Sequence, residues 1–185
     1  MQKFRNIILV CFLPMMVTTF LSCHAQKKNI KVTKQKVMTD TFRAEKNKKG
    51  SAVPEFNVIT AQGKEMTTAD LVKGHPVMLV LFNPSCGHCQ ILLEQVRDNI
   101  ALYKDINIIF LTGKPLKDVL PNYIKNVKVE NVKEINVVSD NSDITLKIFE
   151  YEGIPQIMLY DKEHKLQHIY YKDATNKQIL QKLKK

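Results

Sequence analysis

The sequence lacks an apolar run long enough to cross a membrane. Its most apolar stretch, Ile7 to Leu21, has fifteen residues and is interrupted by Pro14. A bilayer core of about 30 Å needs roughly 20 apolar residues. Two basic residues precede the stretch and small residues follow it, which is typical of a secretory signal peptide. We therefore assign residues 1–22 to a signal peptide and exclude them from the fold.

Cysteine is also scarce, with four residues in the chain. Cys11 lies within the predicted signal peptide. Leu21-Ser22-Cys23 resembles the lipobox of bacterial lipoproteins, so we expect cleavage before Cys23 and a lipid anchor on it. Cleavage after Ala25 by an ordinary signal peptidase is the alternative. With Cys11 removed and Cys23 lipidated, the mature chain keeps only the thiols of Cys86 and Cys89.

The positive charge is confined to one segment. The net charge is +10, but residues 24–53 hold nine basic and two acidic residues, whereas residues 54–185 hold 17 basic and 16 acidic ones. Nucleic-acid binding is therefore not expected. Behind a lipidated cysteine, a basic segment is expected to be a flexible tether near anionic head groups, or simply a solvated linker. We place this tether at residues 23–53 and a single domain at residues 54–185.

The domain shows no internal repeat and alternates predicted strands and helices. Uninterrupted apolar residues at Val77–Phe82 predict a strand buried on both faces in the middle of a sheet. Helical spacing of apolar residues predicts a helix over Cys86–Leu102. The other predicted elements are a hairpin at Phe56–Thr60 and Glu65–Thr67, a short helix capped by Thr67, strands at Ile106–Leu111, Ile135–Val138, Gln156–Tyr160 and Leu166–Tyr171, and helices at Pro115–Lys125, Ser142–Phe149 and Asn176–Lys184. This order predicts an α/β fold with helices on both faces of the sheet.

A Cys-x-x-Cys pair lies where the buried strand meets the start of the predicted helix. The free N–H groups and the positive dipole end of that helix favour the thiolate of Cys86, which is therefore the predicted nucleophile. Cys89 lies one helical turn further on, where it can close a disulfide on Cys86 and release a bound substrate. The pattern predicts a thiol-disulfide oxidoreductase.

Two other uses of the cysteines are disfavoured. A purely structural disulfide would close too short a loop to constrain the unfolded chain much. A zinc site could add His164 and His168, but four residues in an extended segment span about 13 Å. Because that is too far for two ligands of one ion, we predict no metal site.

The sequence resembles the thioredoxin superfamily, and within it the exported, membrane-tethered thiol-disulfide oxidoreductases of the TlpA and ResA type. The resemblance covers Pro54–Lys185 and rests on the leading hairpin, the strand ending in Phe82, the Cys86–Cys89 motif and Gly153-Ile154-Pro155. It implies a thioredoxin-like fold, in which a central mixed sheet is flanked by helices and preceded by an added hairpin.

The resemblance also implies roles for other residues and for partners. In that superfamily a cis proline faces the cysteines and the backbone before it pairs with the substrate, which corresponds to Pro155 and Ile154 here. We assign Pro84 and Gly87 to the same substrate-contacting surface. The expected partners are protein dithiols or disulfides and a membrane-linked electron donor, on the periplasmic side of the cell envelope. No cofactor is expected.

Several residues depart from the family pattern. Ser85 replaces the tryptophan usually found before the first cysteine, and the chain has no tryptophan. Val80 and Leu92 occupy the positions of the acids that, in thioredoxins and in the ResA type respectively, take the proton of the resolving thiol. Glu94 is nearby in sequence but is predicted to lie on the surface.

His88 bears on the direction of electron flow. The Gly-His pair between the cysteines is that of protein disulfide isomerase. A histidine beside the thiolate stabilises the reduced form and makes the disulfide more oxidising. The reference potentials are about −180 mV for the isomerase and about −270 mV for thioredoxin. Reduction and isomerisation of substrates both stay open, and His88 joins the predicted catalytic residues.

Two alternative functions use a similar layout. A thiol peroxidase needs a threonine three residues before its reactive cysteine, where this chain has Asn83. A copper-delivery module of the Sco type uses a CxxxC pair and a distant histidine as ligands, whereas only two residues separate the cysteines here.

Overall fold

The computed structural model describes residues 46–71, 73–143 and 145–184. The predicted signal peptide, the predicted lipid attachment site Cys23 and most of the predicted tether lie outside these residues. Within the described part, no helix combines the length and the apolar content that a membrane span requires.

Seven strands form one mixed sheet in the order β2-β1-β5-β4-β3-β6-β7. The strands are β1 (Asn57–Thr60), β2 (Glu65–Thr67), β3 (Val77–Leu81), β4 (Asn107–Thr112), β5 (Ile135–Asp140), β6 (Gln156–Tyr160) and β7 (Leu166–Tyr171). Strands β3, β4 and β5 are mutually parallel, and the remaining neighbours are antiparallel. All five residues of β3 are buried, which confirms the predicted central strand.

Helices cover the sheet. The α-helices are α1 (Gly87–Asp98), α2 (Leu120–Asn126), α3 (Thr145–Ile148) and α4 (Asn176–Leu183), and 3-10 helices occupy Thr68–Asp70, Ile100–Tyr103 and Lys114–Val119. Successive side chains of a strand point to opposite faces, so Met78 and Val80 join one apolar cluster with residues of α1, α2 and α4. Leu79 and Leu81 join a second cluster, which includes Phe149. Apolar cores on both faces are what the predicted α/β architecture requires.

Three predicted helices are shorter or divided in the structure. The predicted helix at Cys86–Leu102 breaks at Asn99, whose φ of −119° and ψ of 27° are not helical, and a 3-10 turn follows. The first half of the predicted helix at Pro115–Lys125 is a 3-10 helix. The predicted helix at Ser142–Phe149 begins only at Thr145. There the carboxylate of Asp140 accepts hydrogen bonds from Ser142 N and Thr145 N, so the preceding residues form a turn.

The segment before the hairpin packs on the sheet. Gly50 N donates to Leu166 O at 2.7 Å, and Val53 N donates to His164 O at 3.0 Å. Between them, Ala52 forms an antiparallel bridge with Lys165. Among the described residues, backbone pairing with the sheet thus includes Gly50, Ala52 and Val53.

Candidate active site

A tight turn after β3 places the first cysteine at the start of α1. Asn83 Oδ1 accepts a hydrogen bond from Ser85 N at 2.8 Å, and Asn83 O accepts one from Cys86 N at 2.9 Å. Cys86 then adopts an extended conformation, with φ of −91° and ψ of 114°, and is the N-cap residue of α1. Such turns are typical of asparagine, whose side chain bonds the backbone two residues on.

The sulfur of Cys86 serves as the helix cap. Its Sγ accepts a hydrogen bond from Cys89 N at 3.3 Å, so one free N–H group of the first turn already points at it. The positive dipole end of the helix and this N–H donor both favour a negative sulfur. Cys86 is partly exposed and Cys89 is buried, and both are free thiols. Cys86 is therefore the sulfur that a substrate can reach.

Burial keeps Cys89 protonated. The side chain is fully buried among the apolar residues of the larger cluster. Burial, together with the hydrogen bond and the negative charge of Cys86, raises the pKa of Cys89 to about 12. At neutral pH Cys89 is thus a thiol, and it must lose a proton before it can attack a disulfide.

The loop before β6 faces Cys86. The Ile154–Pro155 peptide bond is cis, Pro155 is buried, and Ile154 is 37% exposed. Ile154 O lies 4.0 Å from Cys86 Sγ. The structure therefore brings Ile154 and Pro155 to the cysteines across 68 residues of sequence. Pro84 is partly exposed and Gly87 is exposed, next to Cys86 in the chain.

His88 pairs with a residue that sequence reasoning did not identify. Its Nδ1 lies 2.9 Å and 3.0 Å from the two carboxylate oxygens of Asp173, a residue between β7 and α4. The two side chains are 68% and 67% exposed, and exposed pairs of this kind contribute only about 0.2–1 kcal/mol to stability. The pair borders a groove of about 180 Å³, which is lined among others by His88, Ile91, Leu92, Gln95, Asp173 and Ala174.

The two positions at which the resembling families carry an acidic residue lie in the apolar core of this protein. Val80 and Leu92 are both buried in the apolar cluster that contains Cys89. Glu94, predicted as a surface residue, is partly buried, and its carboxylate accepts a hydrogen bond from Gln90 at 2.9 Å. Neither Val80 nor Leu92 can therefore take the proton of Cys89.

Tyr123 is a second residue that the sequence did not single out. It belongs to the same cluster as Cys89, and its ring packs on Phe82 with the centroids 5.6 Å apart. Its hydroxyl is buried and has no hydrogen-bond partner among the described residues. Burial raises the pKa of Tyr123, and negative charge on Cys89 and Cys86 raises it further. The hydroxyl is thus a neutral hydrogen-bond donor, unpartnered within the described part of the chain, in the apolar cluster that contains Cys89.

The histidines considered as zinc ligands have other contacts. His164 Nε2 lies 3.2 Å from His75 O, and the ring of His168 packs edge-on against Tyr170 at 4.4 Å. Across the part of the chain that the structure describes, no three histidine, cysteine or acidic side chains are grouped as a metal site would need.

Solved structures share the fold of this chain. A candidate protein disulfide isomerase from Bacteroides thetaiotaomicron is 25% identical, with a TM-score of 0.59, over 75% of this chain and 91% of that one. A thiol:disulfide interchange protein of the thioredoxin family from Chlorobium tepidum is 15% identical, with a TM-score of 0.61, over 74% and 96%. A peroxiredoxin-like protein from Aquifex aeolicus is 15% identical, with a TM-score of 0.57, over 74% and 86%. These similarities show that the fold is thioredoxin-like.

Sequence comparison identifies the family. No curated protein sequence matches the chain, but the model of the AhpC/TSA family matches residues 49–169. That segment is well over half of the 185 residues, and it contains Cys86, Cys89, Ile154 and Pro155. The chain therefore belongs to the AhpC/TSA family of the thioredoxin superfamily.

Proposed function

We propose that this protein exchanges disulfides with other exported proteins, with Cys86 as the attacking thiol and Cys89 as the resolving thiol. The observation that carries the proposal is the unequal exposure of the two sulfurs at one helix start. Cys86 is accessible and capped by Cys89 N at 3.3 Å, whereas Cys89 is buried directly behind it. An accessible nucleophile backed by a buried partner is the arrangement that two-step thiol-disulfide exchange needs.

In the first step, the Cys86 thiolate attacks one sulfur of a substrate disulfide. The substrate S–S bond breaks, a mixed disulfide forms, and the second substrate sulfur leaves as a thiolate and takes a proton from water. In the second step, Cys89 loses its proton and attacks Cys86 Sγ. The Cys86–Cys89 disulfide forms, the remaining substrate sulfur leaves, and the substrate has gained two electrons.

The slow second step favours isomerisation as well as reduction. Because burial, the largest cause of the raised pKa of Cys89, remains in the mixed disulfide, that intermediate persists at neutral pH. During that time a free thiol of the substrate can attack the mixed disulfide instead, which returns Cys86 as a thiolate and leaves the substrate with a new disulfide. Net reduction requires an external electron donor, for which we propose a membrane-linked dithiol protein.

The substrate is proposed to bind as an extended segment beside Cys86. The backbone of Ile154 lies next to Cys86 Sγ, with Ile154 O at 4.0 Å, and Pro84 and Gly87 border the same sulfur in the chain. Ile91 on α1 is 63% exposed and adds apolar surface nearby. Backbone pairing with a short substrate segment gives affinity with little dependence on its sequence.

The proposed location is the cell envelope, with a lipid anchor at Cys23. The support is the sequence pattern: Leu21-Ser22-Cys23 follows an apolar stretch, and the segment after it has a surplus of basic residues. Basic residues near an anionic membrane surface contribute about 1 kcal/mol each.

A thiol peroxidase is the second candidate, favoured by the family match and by the peroxiredoxin-like neighbour. That reaction needs a hydroxyl group near the reactive sulfur to hold the peroxide. Here the corresponding side chain is Asn83, whose Oδ1 is occupied by Ser85 N at 2.8 Å. Disulfide exchange therefore fits the site better.

A trapping experiment tests the proposal. The Cys89→Ser variant should accumulate mixed disulfides with a disulfide-bonded protein such as insulin, seen as a mass increase that dithiothreitol reverses. The Cys86→Ser variant is the matched control and should form far fewer. Equal trapping by both variants, or none by either, would contradict the proposal.

A further inference from the structure

The contact between His88 and Asp173 determines where the imidazole carries its proton. Both carboxylate oxygens lie within 3.0 Å of His88 Nδ1. A carboxylate can only accept a hydrogen bond, so Nδ1 must be the donor whether the ring is neutral or charged. Gain or loss of a proton is thereby directed to Nε2.

The positive end of the α1 dipole disfavours a positive charge on His88, and the carboxylate of Asp173 opposes that effect. His88 lies in the first turn of α1, where the positive end of the helix dipole disfavours a cation. That turn contains no acidic residue. Asp173 comes from the loop between β7 and α4, 85 residues away, and supplies the negative charge that the helix lacks. Apolar side chains of Ile91, Leu92 and Ala174 line the groove beside the pair.

We propose that Asp173 is a positioning residue which holds His88 in its Nδ1-protonated form, favours the imidazolium, and so raises the reduction potential of the Cys86–Cys89 couple. This inference rests on the proposed function and assigns its redox set-point to a residue outside the motif. In the balanced couple, the disulfide takes up two electrons and becomes the Cys86 thiolate and the Cys89 thiol, with one proton bound. His88 follows Cys86 by two residues at the start of α1, and a positive charge on its ring would stabilise that reduced product.

The direction in which the reduction potential changes when Asp173 is replaced distinguishes two ways in which Asp173 could act. Acting through His88, the carboxylate stabilises the imidazolium, and its removal lowers the potential. Acting directly, it repels the thiolate, and its removal raises the potential. Within the described residues, Asp173 bonds the imidazole and forms no hydrogen bond with either thiol, so we expect the indirect effect to dominate.

The test measures the equilibrium of the Cys86–Cys89 couple with glutathione for four proteins: wild type, Asp173→Asn, His88→Gln and the double variant. Asp173→Asn in the wild-type background should shift the equilibrium constant toward the disulfide by up to about fivefold, since the energy of an exposed ion pair, at most about 1 kcal/mol, sets the upper limit. In the His88→Gln background the same change should give no shift in that direction. Glu94→Gln is the matched control, because its carboxylate lies on α1 but bonds Gln90. It should not move the equilibrium toward the disulfide.

A spectroscopic measurement accompanies the potentials. The ¹⁵N chemical shifts of neutral His88 should indicate the Nδ1–H tautomer in the wild type and move toward Nε2–H in Asp173→Asn, while Asp173→Glu should restore much of the wild-type signature. A raised or unchanged potential in Asp173→Asn would overturn the inference. A wild-type protein without a two-electron Cys86–Cys89 couple would instead refute the proposed function, so the two failures are distinguishable.

Discussion

The resolving step should depend steeply on pH because the attacking group, Cys89, is buried. Its pKa of about 12 places the thiolate fraction at pH 7 on the order of 10⁻⁵. An ordinary thiol with a pKa of about 8.5 is about 3% ionised at the same pH. The deprotonated form of Cys89 is therefore about three thousand times rarer.

Higher basicity offsets part of this loss. Nucleophilicity rises with pKa with a Brønsted coefficient of about 0.4–0.5, which over about 3.5 pKa units recovers roughly 25- to 55-fold. In the mixed disulfide, the hydrogen bond and negative charge of Cys86 no longer raise the pKa of Cys89, whereas burial, the largest cause, remains. We expect resolution to be about ten- to a hundredfold slower at pH 7 than for an exposed thiol in the same geometry.

The assay uses a chromogenic aromatic disulfide and the reduced protein. Attack by Cys86 releases one coloured thiolate, and attack by Cys89 on the resulting mixed disulfide releases the second. The rate constant of the second phase should rise about tenfold per pH unit from pH 7 to pH 9, since the pKa of Cys89 lies above this range. Cys89→Ser is the control and should release only one equivalent. A plateau of the second phase below pH 9 would refute the argument from burial.

Three further predictions follow from exposure, hydrogen bonding and the N-terminal sequence. Alkylation of the reduced protein at pH 7 should modify Cys86 at least about tenfold faster than Cys89, because Cys86 is accessible whereas Cys89 is buried and has a raised pKa; equal rates, read by peptide mass spectrometry, would contradict this. Tyr123→Phe should leave the free energy of unfolding unchanged or raise it by up to about 1 kcal/mol, because the lost hydroxyl has no partner. Tyr103→Phe should instead lower the free energy of unfolding by about 1 kcal/mol or more, because Tyr103 Oη donates a hydrogen bond to Asn176 Oδ1 at 2.6 Å. Denaturant titration checks both, and a larger loss for Tyr123→Phe would be contrary to the structure. Cys23→Ala should move the protein from the membrane to the soluble envelope fraction, and a wild-type protein that is already soluble and begins at Gln26 would exclude the anchor.

Local patterns predicted the strands well. The apolar run at Val77–Phe82 indicated the buried central strand because a strand covered on both faces needs no polar alternation. Thr67 was predicted to cap a short helix, and in the structure it does so in a capping box with Asp70. In contrast, the apolar spacing continues past Asn99 although the helix ends there, because Ile100 still packs against the core from a 3-10 turn. The spacing of apolar residues indicates which side chains are buried, but it does not indicate whether the backbone helix is continuous.

Only the part of the site that is formed by residues close together in the sequence could be predicted. The order of strand, cysteine pair and helix indicated the positions of Cys86 and Cys89. Asp173 gave no signal, because its role depends on a contact across 85 residues and its neighbours in sequence form an ordinary loop. Tyr123 was equally hidden, since a tyrosine in a predicted amphipathic helix is normally a core residue. Long-range pairing of polar groups requires the fold to be known.

The most direct test of the account is to compare the rates at which a protein disulfide and hydrogen peroxide oxidise the reduced Cys86–Cys89 pair, with the product identified by mass spectrometry. We predict that the protein disulfide reacts faster, and that each substrate disulfide reduced yields one Cys86–Cys89 disulfide with the loss of two hydrogens. Oxidation by peroxide at a rate orders of magnitude above that of the disulfide, with a sulfenic acid on Cys86 as the first product, would contradict it.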